Sequence, residues 1–176
     1  LNATLWWLNW FDGRSESALA QWRGLCQGRD VNALMTAGQL INWGMPALAA
    51  EMLNALDCQR TLPLYLQASL LPKAERGELV AKAIDAFPQF VRFPNTLEEV
   101  AALESIEECW FARHLLACFY YNKRSYGKAI ALWQRCVEMS PEFADGWRGL
   151  AIHAWNKQHD YELAARYLDN AYQLAP

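Results

Sequence analysis

The chain has 176 residues, 53% of them hydrophobic and 13% aromatic, with nine tryptophans and a formal net charge of −3. That length can bury a sizeable core as one domain or one solenoid segment. No apolar run approaches the roughly 20 residues of a membrane span, the nearest, Leu62 to Leu71, being interrupted by Pro63 and closed by Pro72. No block of Lys or Arg is available to track phosphates, which excludes nucleic acid as a partner. Five cysteines without a CxxC pair read as buried, reduced thiols of a cytoplasmic protein.

Residues 2–11 read as a helix, Asp12-Gly13-Arg14 as a turn and Ser15 as the N-cap of a second helix carrying Ala18, Leu19, Trp22 and Leu25 on one face. Trp6, Trp7 and Trp10 cannot all share a face at 100° per residue, so one of them is expected on the surface or against a neighbouring repeat. Asp30 can cap a helix over 31–43 that Gly44 ends, and Pro46 suits the first turn of the next, with Ala49, Leu53 and Leu56. Thr61 and Pro63 open a short helix, Pro72 stops it at Leu71, and Ala74–Phe87 is its expected partner. Residues 1–87 thus read as degenerate helical hairpins. Residues 88–108 read as an irregular insertion plus one helix, with an extended segment between Pro88 and Pro94 and a capping box at Thr96 and Glu99.

Residues 109–176 divide into two similar lines, WFARHLLACFYYNKRSYGKAIALWQRCVEMSPEF and ADGWRGLAIHAWNKQHDYELAARYLDNAYQLAP. Each holds an apolar helix, a polar turn, a second apolar helix and a closing proline. Pro141 and Pro176 are 35 residues apart, as are Ala129 and Ala164. A fixed period of this size, with small and large residues at set offsets, marks a two-helix solenoid repeat.

These two lines resemble the tetratricopeptide repeat. The first supplies Leu116, Ala117, Tyr120, Ala129, Trp133, Cys136 and Pro141 at the family's spacing, with Arg113 departing from it. The second supplies Trp147, Leu150 and Ala151 and then, after one extra residue in the Lys157–Asp160 turn, Ala164, Leu168, Ala171 and Pro176; Ala154 stands at the aromatic position. The resemblance implies an all-α fold, a right-handed α-α superhelix of helical hairpins with about eleven helices, in which Trp133 and Trp147 are buried. It implies a non-enzymatic protein-interaction or scaffolding segment that takes a peptide or domain partner on its concave face. The family geometry places His114, Cys118, Tyr121 and Asn122 of the first line there, with Arg148, Ile152, Trp155 and Asn156 of the second. Arg148 would meet a carboxylate, Asn122 and Asn156 a peptide backbone, and Tyr121 and Trp155 would stack. The Lys/Asn set of the family's carboxylate-clamp members is missing. Leu1 in place of Met and the closing Pro176 read as a fragment of a longer protein whose exposed solenoid ends could self-associate.

Residues 84–176 are also similar, more weakly, to the helical part of large uncharacterised bacterial proteins that carry a mutarotase-like β-sandwich. This implies the alternative of a helical supporting segment in a carbohydrate-active enzyme. Glu98, Glu99, Glu104, Glu107 and Glu108 are the carboxylates such an enzyme would draw on, and a solvated helix face is the plainer account of them. His114, His153 and His159 form no HExxH pair, and no metal or other cofactor is expected.

Overall fold

The computed structural model describes residues 16–26, 30–56, 60–86 and 92–175. The helix expected over 2–11, the three tryptophans on it, the Asp12–Arg14 turn, the Ser15 cap, Cys58, Phe87, Pro88 and Pro176 lie outside them, as do the side chains of Leu19 and Asp30. The fold is all-α: the described residues form ten α-helices and no strand, and of the eleven or so expected the one over 2–11 lies outside them. The chain divides into two compact units, Leu1–Val91 and Arg92–Pro176.

The first unit holds α1 (Glu16–Cys26), α2 (Asp30–Asn42), α3 (Pro46–Asn54), α4 (Thr61–Ser69) and α5 (Gly77–Asp85). The Trp22 indole N–H donates to the Met52 carbonyl at 3.1 Å and Arg23 Nε to the Ala55 carbonyl at 2.9 Å, fastening α1 along α3. Gly44 ends α2 as expected: at φ +75° its N–H reaches the Ile41 carbonyl while the Met45 N–H reaches the Leu40 carbonyl, the two bonds of a Schellman motif. Pro46 then sits in the first turn of α3. Helix α4 is buried nearly all round, through Thr61 to Leu66 and again at Ala68, and Pro63 is tolerated because first-turn N–H groups have no intrahelical acceptor. The partner helix expected over 74–87 is shorter. A 3₁₀ turn, Lys73–Glu75, comes first, and Arg76 turns back to donate to the Leu71 and Ser69 carbonyls at 2.8 and 3.4 Å. The Arg76 side chain thus satisfies acceptors at the end of α4 while its own carbonyl accepts from the Val80 N–H and starts α5.

The second unit holds α6 (Leu97–Glu104), α7 (Trp110–Asn122), α8 (Tyr126–Met139), α9 (Ala144–His153) and α10 (Tyr161–Leu174). The capping box forms: Thr96 Oγ1 accepts from the Glu99 N–H, and the Glu99 carboxylate accepts from the Asn95 and Thr96 N–H groups at 2.7 and 3.3 Å. Glu99 is itself buried, with Arg92 at 3.2 Å. Helix α7 pairs with α8, α8 with α9, and α9 with α10.

Small residues set the spacing between these helices. Ala117, Ala129, Cys136, Ala151, Ala164 and Ala171 are buried at the positions on which the resemblance rests. Gly149 faces the Trp133 indole so closely that a Cβ there would lie 2.6 Å from its Cδ2, and a Cβ on Gly146 would lie 2.8 Å from Val137. Helix α9 therefore lies down on α8 through two glycines three residues apart, and Trp133 is 3% exposed beneath it. Trp147, expected to be buried, is half-buried instead. Its indole N–H needs an acceptor and takes the Pro141 carbonyl at 2.8 Å near the surface.

The extra residue in the second line appears as a π-helical turn, Ala154–Gln158, at the end of α9. Helix α7 closes on Arg124 at φ 61°, with the Arg124 N–H on the Tyr121 carbonyl and the Ser125 N–H on Tyr120. The equivalent left-handed residue 35 positions on is His159 at φ 57°, and there the Asp160 N–H reaches back to Ala154, one residue further than in the first turn. A single inserted residue is absorbed by widening the last helical turn, so the two helices on either side keep their register.

Candidate functional site

Eight residues were expected on a partner-binding face: His114, Cys118, Tyr121, Asn122, Arg148, Ile152, Trp155 and Asn156. The structure treats the two repeats differently. In the α7–α8 hairpin, His114 is 8% exposed and lies between the rings of Phe111 and Phe143, 6.0 and 5.0 Å away. Burial holds its imidazole near a pKa of about 4 against the pull of the Asp145 carboxylate, so it is neutral at pH 7. A ring so placed packs and does not present itself to a ligand. Tyr121 is half-buried, its ring 5.3 Å from Trp133, 5.0 Å from Tyr126 and 6.2 Å from His153. Cys118, beside His114 at 3.6 Å, has its thiol pushed up to about 12 by burial and by Asp145, which makes it a packing group at neutral pH. Asn122, at the end of α7, is exposed.

In the α9–α10 hairpin the equivalent positions face outward. Ile152 is 48% and Trp155 53% exposed, and Asn156 is exposed beside them. The Trp155 ring stands edge-on to Tyr161 at 4.7 Å, which fixes its orientation while leaving one face open. Arg148 was expected to meet a carboxylate, and it meets one of its own chain: Nη1 lies 2.7 Å from Asp145 Oδ1, while Nη2 donates to the Ala175 carbonyl at 2.9 Å. It clamps the start of α9 to the end of α10.

Four large apolar side chains of α10 are exposed that the sequence did not mark as surface groups: Tyr161, Leu168, Tyr172 and Leu174. Leu168 stands where the family pattern puts a large apolar group. Of the four, Tyr161 meets Trp155, and Lys157 lies over the Tyr126 ring at 4.9 Å.

A second feature lies where the end of α6 meets α7 and α8. A cleft of about 330 Å³ is lined by Leu103, Ile106, Leu116, Leu132, Arg113 and Lys128, among others. Across it the Tyr120 hydroxyl donates to Glu104 Oε1 at 2.5 Å, which raises the phenol's pKa, and Lys128 stands 4.9 Å above the Tyr120 ring. The acidic run therefore has structural work in at least two places, Glu99 in the α6 cap and Glu104 on Tyr120. Among the described residues no group of three or more His, Cys, Asp or Glu side chains is placed to hold a metal ion. No described helix is long and apolar enough to cross a membrane.

No protein-family model matches the chain. Among solved structures it is similar to a crystal structure of MamA, at 18% identity and a TM-score of 0.44 over 93% of this chain and 90% of that one. A further MamA crystal structure matches at 17% identity and 0.42, over 98% and 91%. A MamA fragment from Desulfovibrio magneticus RS-1 matches at 16% and 0.40, over 81% and 92%.

Proposed function

We propose that the second unit is a protein-interaction module and that its binding surface centres on Ile152, Trp155 and Asn156, with Asn122 on the neighbouring repeat. The observation that carries this reading is the outward Trp155, oriented by Tyr161 and half exposed beside exposed amide groups. Oriented aromatic anchors ringed by hydrogen-bonding groups are what protein interfaces concentrate their energy on. His114 and Tyr121 serve this surface as packing beneath it, and Arg148 as the clamp that holds α9 against α10. The chain is then a scaffold that holds a partner and carries out no chemistry of its own.

The test is to immobilise the protein and compare retained partners for the wild type, a Trp155→Ala/Asn156→Ala variant and a Gln134→Ala control on the exposed side of α8. A partner held by wild type and control, with roughly tenfold or greater loss in the double variant, supports the reading. Equal retention by all three overturns it.

A further inference from the structure

The cleft beside α6 is built from sequence positions that the interaction surface does not use. On α7, Arg113, Leu116 and Tyr120 follow one another at helical spacing, and on α8 so do Lys128, Ala131 and Leu132, so each helix turns one face to the same space. Leu103 and Ile106, at the end of α6, close it and are buried together with Leu116. All of the lining lies between residues 103 and 132, so the cleft is formed inside the second unit without α9 or α10. Arg113, the residue that departs from the repeat pattern, brings a guanidinium to it. Its Nε donates to the Glu107 carbonyl at 2.7 Å, which ties the α6–α7 turn to α7 and leaves both Nη groups without a partner among the described residues. Lys128 is held differently, 4.9 Å over the Tyr120 ring. Among the described residues neither cation forms an ion pair, although Glu104 and Glu107 line the same cleft.

From this we infer that the cleft binds a small organic monocarboxylate, its apolar body on Leu103, Ile106 and Leu116 and its carboxylate between Arg113 and Lys128. The ligand differs in class and place from the partner proposed above, and the inference does not depend on that reading. At about 330 Å³ the space falls at the lower end of the roughly 300–1,000 Å³ of small-molecule sites, so it takes one small molecule and not a run of polypeptide. A guanidinium with both Nη groups open matches the two oxygens of a carboxylate, and the Lys128 ammonium adds a second positive charge. The Tyr120 hydroxyl is already given to Glu104, which leaves the ring as apolar wall. Glu104 and Glu107 balance the two cations, so a second negative charge on the ligand would meet carboxylates with no cation left to offset it. That selects a monocarboxylate over a dicarboxylate or a phosphate.

The probe is 4-phenylbutanoate, titrated into the whole isotope-labelled protein and followed by amide chemical shifts. Saturable shifts in α6, α7 and α8 are expected, with the neutral 4-phenylbutanamide binding roughly tenfold or more weaker. Arg113→Met should weaken the acid by a similar factor and the exposed Lys128→Met by roughly threefold, while Lys123→Met, outside the lining, leaves it unchanged. Because Arg113→Met also removes the bond to the Glu107 carbonyl, Ala131→Trp provides a second variant. It keeps both cations, changes an exposed position and fills the cleft, so it should abolish binding with the fold intact by circular dichroism. Absence of saturable shifts, an amide that binds as tightly as the acid, or binding indifferent to Ala131→Trp or to loss of both cations overturns the inference. So does tighter binding of an acetylated tripeptide with a free C-terminal leucine, which assigns the cleft to the end of a polypeptide.

Discussion

At the scale of single residues, His114 gives the second unit its sharpest dependence on pH. Its imidazole is buried between Phe111 and Phe143 and held near pKa about 4, against an ordinary value of 6.5. A histidine whose folded pKa is lowered contributes stability that is present above the unfolded value and is lost as pH falls from 6.5 towards 4, because the unfolded chain binds the extra proton. Between pH 7 and pH 5 the expected loss is about 2 kcal/mol. His153, lowered in the same direction by burial and by Lys157, adds to it. Urea unfolding at the two pH values, compared with a His114→Leu variant, checks this: the variant should lose the larger part of the dependence. The ring's burial was not legible in the sequence. Family geometry puts position 114 on a groove, and only the return of the chain after Pro141 brings Phe143 onto it. The small residues were legible, because Ala129, Ala164 and Ala171 recur at offsets that only close helix crossing explains.

At the scale of elements, turn chemistry was read well where one residue decides the outcome. Gly44 and the Thr96–Glu99 pair act through local backbone bonds, so their spacing in the sequence is enough. The π-turn at Ala154–Gln158 was visible only as one residue too many; whether the chain loops it out or widens a helical turn depends on the packing of both flanking helices. The left-handed Arg124 carries a cost at the end of α7 that a glycine would not, while glycine gains more freedom in the unfolded chain. The balance predicts that Arg124→Gly stabilises the protein by about 0.5–1 kcal/mol. Chemical denaturation would show this as a higher midpoint at unchanged slope.

At the scale of the whole molecule, the repeat is the source of both the fold and the proposed function. Its period predicted all-α hairpins, because each hairpin buries its apolar stripe only against a neighbour. Sequence alone could not show that Trp133 is buried and Leu168 exposed, since the two occupy the same position in the pattern. The most direct test of the account places a photo-crosslinking residue at position 156 or at 134 in otherwise identical proteins and exposes each to the same lysate. Discrete protein adducts from 156, and none from 134 on the exposed side of α8, are the predicted result. Adducts that form equally from both positions, or from 134 alone, would contradict it.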